Sequence, residues 1–343
     1  MEPTKKNTFV KDASYWKDKR VLVTGITGFI GSRIAEMLVE KGAIVSGLAP
    51  FTCIDDFQNI KSIARNIKIF RADLYDENII RKIFRDWRPH VVFHMAAITH
   101  VHYSFERPLE TLRVNAIGTT NLLEAAREYP VERFVYAGSS EQYGNLGEEH
   151  MPLNENSPFR PSSPYAVGKL AGDLMCQVYY ESYGVPCVRV RNFNSFGRKH
   201  DANYITEKVI YHALKDGRVD LGTPKSTRDF NHVDNVADAF IFLGEHPDAI
   251  GNVTVIATEK EKTIKEHAET IAKIIEQDYG VTPELRWNTF KPRPNELWRL
   301  CGDPSRLQAM GYTPLISYEE GLKKTIAHWH ATLKEENSLH GEE

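Results

Sequence analysis

Three glycines spaced three apart, Gly25, Gly28 and Gly31, stand between a short apolar run and an amphipathic stretch that ends just before Gly42. This placement constrains the fold more than any other feature of the chain. Val21-Leu22-Val23 reads as a buried strand and the residues to about Glu40 as a helix, which Gly42 closes. A tight strand-to-helix turn of this kind lets backbone come close to a pyrophosphate resting on the helix N-terminus. It predicts the first unit of a parallel sheet built around a dinucleotide.

The rest of the chain continues the pattern. Strands are expected at 43–48, 67–70, 90–95, 133–137 and 187–191, with helices at 77–87, 111–128 and 165–183. Ser163-Pro164 open the last of these as cap and first-turn proline. Strands alternating with helices predict an α/β chain: a Rossmann-type, doubly wound parallel sheet with right-handed crossovers. Beyond residue 195 the alternation weakens and loops lengthen, which predicts a smaller, partly interwoven C-terminal substrate-binding domain. The expected division is a tail at 1–17, a cofactor domain at 18–193 plus 229–258, a substrate domain at 194–228 plus 259–335, and a tail at 336–343. Tyr15 and Trp16, with Phe9, are expected to pack the end of the first tail on the core.

In an open parallel sheet, ligands sit at the carboxyl ends of the strands. Asp73 after strand three and Ala96-Ala97 after strand four are placed there, although Asp73 also suits a helix cap. Strand two ends in Leu48-Ala49-Pro50-Phe51, with neither the acid that reads a ribose hydroxyl nor an arginine for a 2′-phosphate. Asp55-Asp56 come later and could substitute. The cofactor is therefore expected to be NAD or NADP, with NAD ahead.

Tyr165 and Lys169 lie four apart on the expected helix and so share a face. A nearby cation favours phenolate, and lowering a tyrosine pKa by about three units takes roughly 4 kcal/mol of differential stabilisation. Lys169 and a bound cationic nicotinamide together are expected to supply it, making Tyr165 a base for an alcohol that loses hydride. Ser139-Ser140-Glu141 stand at the end of strand five, beside this site.

Composition narrows the partners. A net charge of -3 gives no electrostatic case for nucleic acid, and no apolar run approaches a membrane span. The four cysteines, Cys53, Cys176, Cys187 and Cys301, have neither zinc-site nor disulfide-framework spacing, and Met1–Asp12 has no apolar signal core. Reduced thiols and a cytoplasmic location are the expectation. His100 and His102 form an HxH without a third ligand at suitable spacing, so no metal is expected. The Tyr179-Tyr180 and Tyr183 cluster reads as helix packing.

Assembled in order, TGxxGFIGS, RADL, HMAA, VNAIGT, SSEQYG, SPYAVGK and RDFNHVD make the chain resemble the extended short-chain dehydrogenase/reductase family. The likeness is to its nucleotide-sugar 4,6-dehydratase branch, of the GDP-mannose 4,6-dehydratase type, and runs from Trp16 to about Trp329. It implies Ser139, Tyr165 and Lys169 as the redox residues, and a cofactor lying on Gly25, Thr27, Gly28, Phe29, Ile30, Asp73, Leu74, Ala96, Ala97, Tyr165 and Lys169. In that branch a glutamate at the place of Glu141 takes the C5 proton after C4 oxidation. Glucose-type dehydratases put an aspartate before it as the acid for C6, where this chain has Ser140. The Ser-Glu pair is similar to the mannose enzyme and also to UDP-glucuronate decarboxylases.

By the same resemblance His100 and Asn194 meet the sugar or diphosphate, Lys208, Arg228 and Arg293 the phosphates, and Glu296 a ribose. The run Asn194–His200 departs from the mannose enzyme's basic loop, which leaves a GDP-linked heptose open, and Tyr15-Trp16-Lys17 is similar to CDP-glucose dehydratases. The resemblance further implies a homodimer or homotetramer through helices 111–128 and 165–183. The expected substrate is a nucleotide-linked hexose, GDP-mannose or a GDP-linked relative. The rivals are a C4 epimerase, a nucleotide-uronate decarboxylase and a non-catalytic regulator on the same fold.

Overall fold

The computed structural model describes residues 12, 14–51, 57–197, 202–291 and 295–340. In chain order its strands are β1 Arg20–Thr24, β2 Ile44–Ala49, β3 Lys68–Arg71, β4 Val91–His94, β5 Arg133–Ser139, β6 Cys187–Asn192, β7 Asn194–Phe196, β8 Arg218–Asp220, β9 Thr227–His232, β10 Val253–Ile256, β11 Glu261–Thr263, β12 Glu284–Arg286 and β13 Arg299–Leu300. The α-helices are α1 Phe29–Glu40, α2 Glu77–Trp87, α3 Val101–Glu106, α4 Pro108–Leu112, α5 Gly118–Glu128, α6 Pro164–Tyr183, α7 Ile205–Asp216, α8 Val233–Glu245, α9 Ile264–Tyr279, α10 Ser305–Ala309 and α11 Tyr318–His340.

Seven strands form one sheet in the order β10-β6-β5-β4-β1-β2-β3, with every neighbouring pair parallel. The chain order reverses between β1 and β4, so the crevice for a ligand opens at the carboxyl ends of the central strands. Successive side chains of β1 bury on opposite faces, as the two-residue period requires. Val21 and Val23 join the core under α1 and α8, and Leu22 the core under α2, α5 and α6. Trp16 is 1% exposed and packs 5.8 Å from Phe93. Folded structure therefore begins before the expected boundary at 18, because an indole this size supplies core area that the first strand alone does not. At the other end α11 runs through the start of the expected 336–343 tail. Phe9 lies outside the described residues.

The expected single helix at 111–128 is observed differently. Helical backbone starts at Pro108, and a π turn at Arg113–Ile117 separates α4 from α5. One extra residue in that turn rotates the face presented by Asn115. Helix α6 matches its expected span. Ser163 caps it by accepting from Ala166 N at 3.1 Å, and Gly184 closes it at φ +70.

The second region has a small sheet of β11, β9 and β13 with β7 beside β9, and a separate β12–β8 pair. The segment 229–258 divides between the two regions. Asp229–His232 belong to β9 in the small sheet, whereas α8 packs against α1 and β10 pairs with β6. Strand β9 passes into α8 at His232 with no residue between. The return connection after β10 is held by Asp229, whose carboxylate accepts from Thr258 N, Thr258 Oγ1, Glu259 N and Gly302 N.

Candidate active site

The glycine turn leaves room for a ligand only because it has no side chains. Gly25 adopts φ +65, and a Cβ on it would lie 2.8 Å from Ala96 Cα. A Cβ on Gly31 would lie 2.3 Å from Gly25 O. Gly28 caps α1 without a side-chain hydrogen bond, and no acid stands in the first turn. This 12-residue helix therefore presents its N-terminal amides and positive dipole end to the cavity, which suits a pyrophosphate. These features fit a dinucleotide such as NAD(P). Asn59 donates to Thr27 O at 2.9 Å and fixes the turn, a contact the sequence reading did not find. Gln58 and Asn59 line the cavity beside Pro50, near the end of β2 where an acid was missing. Asp55 and Asp56 lie outside the described residues. Asp73 lines the cavity, while the cap of α2 is Asp76, which accepts from Ile79 N at 3.1 Å.

The cavity measures about 920 Å³ and brings most of the expected site together. Its lining holds Gly25, Thr27, Gly28, Phe29, Ile30, Asp73, Leu74, Ala96 and Ala97 of the expected cofactor site, the five residues Ser139, Ser140, Glu141, Tyr165 and Lys169, and the expected sugar contacts His100 and Asn194. Ser139 ends β5 and caps a 3-10 turn: its Oγ accepts from Glu141 N at 3.2 Å, and its own N–H donates to Gln142 Oε1 at 2.8 Å. That reciprocal box orients both Ser139 and Glu141. Ser139 acts on the Tyr165 phenol as a polar neighbour, favouring its ionised form.

Lys169 is 4% exposed and donates to Ala137 O at 2.7 Å. Burial pushes its ammonium down to about 8. Burial likewise pushes the Tyr165 phenol well above its ordinary value; Ser139 pulls it back, while Glu141 and Tyr204 push it further up. The expected lowering is thus corrected for the protein's own groups. Desolvation acts on both side chains, and the Lys169 ammonium is committed to a backbone carbonyl.

Two supports were not foreseen. Asn115, on the π turn, accepts from Ile98 N at 2.8 Å and donates to Ile98 O at 3.0 Å, which holds the loop after β4. Behind it, Thr119 donates its hydroxyl to Asn115 O at 2.7 Å, so His94 Nε2–H donates to Thr119 Oγ1 and Nδ1 accepts from Thr24. Burial pushes His94 down to about 3, so this imidazole is neutral.

Beside His100 in the cavity wall Tyr204, also missed from sequence, hydrogen-bonds Thr99 Oγ1 at 3.0 Å and lies 5.0 Å from the His100 ring. His102 instead faces Glu106 at 3.5 Å on an exposed stretch of α3, so the HxH pair splits. Asn194 has a buried Oδ1 with no hydrogen-bond partner. A second pocket of about 10 Å³ touches Glu141, with Ser162, Ser163 and Asn295 in its wall; it is the size of one water.

Three expected phosphate and ribose contacts lie off the main cavity lining. Lys208 sits 4.2 Å over the Phe290 ring, and Arg228 pairs with Glu296 at 3.3 Å. Arg293 lies outside the described residues. Cys176, Cys187 and Cys301 are free and buried, and Cys53 is outside the described residues. No described group of three or more His, Cys, Asp or Glu could hold a metal ion. No described helix is long and apolar enough to cross a membrane.

Comparison with known proteins agrees with this geometry. The family model described as GDP-mannose 4,6 dehydratase matches residues 22–325. A dTDP-D-glucose 4,6-dehydratase of Bos taurus is 30% identical over 90% of this chain and 88% of its own length. Thermus thermophilus UDP-glucose 4-epimerase, solved with NAD, superposes with a TM-score of 0.82 at 32% identity, covering 90% of this chain and 98% of that one. A dTDP-glucose 4,6-dehydratase from Streptomyces venezuelae, also solved with NAD, gives 0.82 at 25% identity, covering 91% and 97%.

Proposed function

The chain belongs to the GDP-mannose 4,6 dehydratase family of extended short-chain dehydrogenases/reductases, and from that membership we propose that it is a nucleotide-hexose 4,6-dehydratase using NAD(P). The observation that carries this reading is Glu141. Its carboxylate lines the same cavity as Tyr165, close enough for its charge to raise the phenol's pKa. An epimerase that only oxidises and re-reduces C4 has no use for an acid there; a dehydratase needs a base for C5. NAD(P), held by the Gly25–Gly31 turn, Tyr165 and Lys169, would supply the acceptor for the C4 hydride and the donor for C6.

In this reading the cationic nicotinamide, when bound, would offset the burial that raises the Tyr165 phenol, and Tyr165 takes the C4 hydroxyl proton while Ser139 holds the same oxygen. Lys169 holds the nicotinamide ribose. Glu141 then removes the C5 proton, made acidic by the C4 carbonyl; the C6 hydroxyl leaves as water with a proton from Glu141, Ser140 or a bound water, and C5 is reprotonated when hydride reaches C6. Each transfer is general acid–base work between groups in one cavity. His100, Tyr204 and Asn194 would hold the hexose; Lys208, Arg228, Arg293 and Glu296 are proposed for the nucleotide end. Ser140, in place of the aspartate of glucose-type enzymes, favours a GDP-linked hexose, mannose or a relative.

Mass spectrometry of products from GDP-, UDP-, CDP- and dTDP-hexoses tests this. A product lighter by one water, from a GDP-hexose, is expected. An isomer of unchanged mass from every substrate would replace the reading with epimerisation, and release of carbon dioxide from a uronate with decarboxylation.

We also propose a homodimer through α4, α5 and α6. Leu109, Ile117, Val167, Leu174 and Val178 stand between 43% and 82% exposed there, an apolar set unusual for helix surface facing water. Light scattering should give twice 39.1 kDa; the monomer mass would exclude it.

A further inference from the structure

Helix α6 carries a third functional position. Asp173 lies one turn beyond Lys169 and two beyond Tyr165, on one stripe of the helix. It is fully buried, and three donors converge on it: Arg191 Nε at 2.8 Å, Arg189 Nη1 at 3.1 Å and Gln142 Nε2 at 3.1 Å. Arg191 reaches on to Tyr143 Oη at 3.1 Å and Glu155 O at 2.9 Å, and Arg189 to Gln177 Oε1 at 3.0 Å. Burying these charges is costly, and well-packed apolar groups would often serve stability as well.

What apolar groups cannot do is fix an amide. An ionised carboxylate only accepts hydrogen bonds. Gln142 must therefore turn its NH₂ to Asp173 and its oxygen the other way. That oxygen receives Ser139 N–H at 2.8 Å. Gly138 permits the approach, since a Cβ there would lie 2.8 Å from Gln142 Oε1.

We propose that Asp173 is a positioning residue: through Gln142 it locks the turn bearing Ser139 and Glu141 to the helix bearing Tyr165 and Lys169. The chain Asp173–Gln142–Ser139 joins the two halves of the catalytic group, and the two arginines of β6 anchor it to the sheet. The inference rests on the C4 oxidation step of the function proposed above, which dehydratases and C4 epimerases share.

The test compares Asp173→Asn and Gln142→Leu as cofactor-loaded enzymes. Stopped-flow appearance of reduced cofactor in a single turnover reads the C4 oxidation directly. Both variants are expected to slow it on the order of 10²-fold, the effect of about 1 Å of misplacement. KM should stay within about 3-fold and cofactor content be unchanged, because the substrate contacts are not touched. The double variant should be no slower than Asp173→Asn, as expected for residues acting in series. Crystals of Gln142→Leu should show the Ser139–Glu141 turn displaced from Tyr165, a result that needs no substrate.

Gln142→Leu leaves the ion pairs in place, so it decides the matter even if Asp173→Asn does not fold. Wild-type cofactor reduction in Gln142→Leu, or an unmoved Ser139–Glu141 turn in its crystals, would overturn the proposal. So would a loss of rate in Asp173→Asn matched by loss of cofactor. Failure of the dehydratase reading shows separately, in the mass of the wild-type product.

Discussion

Tyr165→Phe should lower turnover by about 10²- to 10⁴-fold, the range that a positioned acid–base group contributes. The ring stays, so packing and cofactor affinity are expected to persist; only the proton acceptor is lost. The defect belongs in the first chemical step. Single-turnover mixing should show cofactor reduction slowed as much as overall turnover, with KM little changed. The physical reason is the environment of the phenol. Burial and the Glu141 charge both hold the proton on Tyr165, and Ser139 is the protein's counterweight. A variant retaining a tenth or more of wild-type cofactor reduction would remove Tyr165 from the base role.

Glu141→Gln separates the steps. Oxidation at C4 should survive, while water loss falls by about 10²- to 10⁴-fold for want of a base at C5. The variant should therefore accumulate reduced cofactor and a hexose of unchanged carbon skeleton. In deuterated water the wild-type product should carry deuterium at C5, and material from the variant should not. The pH dependence of the oxidation step should also move. The Glu141 carboxylate raises the Tyr165 pKa, so a neutral amide lowers it, and the rising limb should shift to lower pH. Full dehydration by Glu141→Gln would overturn its role. An unshifted limb would show that its charge is not felt by the base.

Much of this was legible in the sequence because local rules and fold agree. The glycine turn, the alternation of strands with helices, and the YxxxK spacing each depend on residues near one another in the chain. Asn115 was hidden because a π turn breaks the 3.6-residue period on which facing is judged. Asp173 was hidden because a lone acid on a helix reads as solvated surface. A signal was present in Arg189 and Arg191, two residues apart on β6 and so on one face. Central strands of a parallel sheet are expected to be apolar on both faces, so that pair called for a buried acid. The direction of the Tyr165 shift could not be read at all. It depends on how deeply the phenol is buried, which no spacing encodes.

Strand β9 becomes α8 at His232 without a single connecting residue, and Asp229 ties down the return path at Thr258 and Glu259. A hinge needs positions whose φ and ψ absorb a rotation. Asp229 fixes Thr258 and Glu259 by hydrogen bonds, which restrains rotation at the return crossing. In the proposed reaction, retention of an oxidised sugar between steps then leans on individual contacts more than on rotation at this crossing.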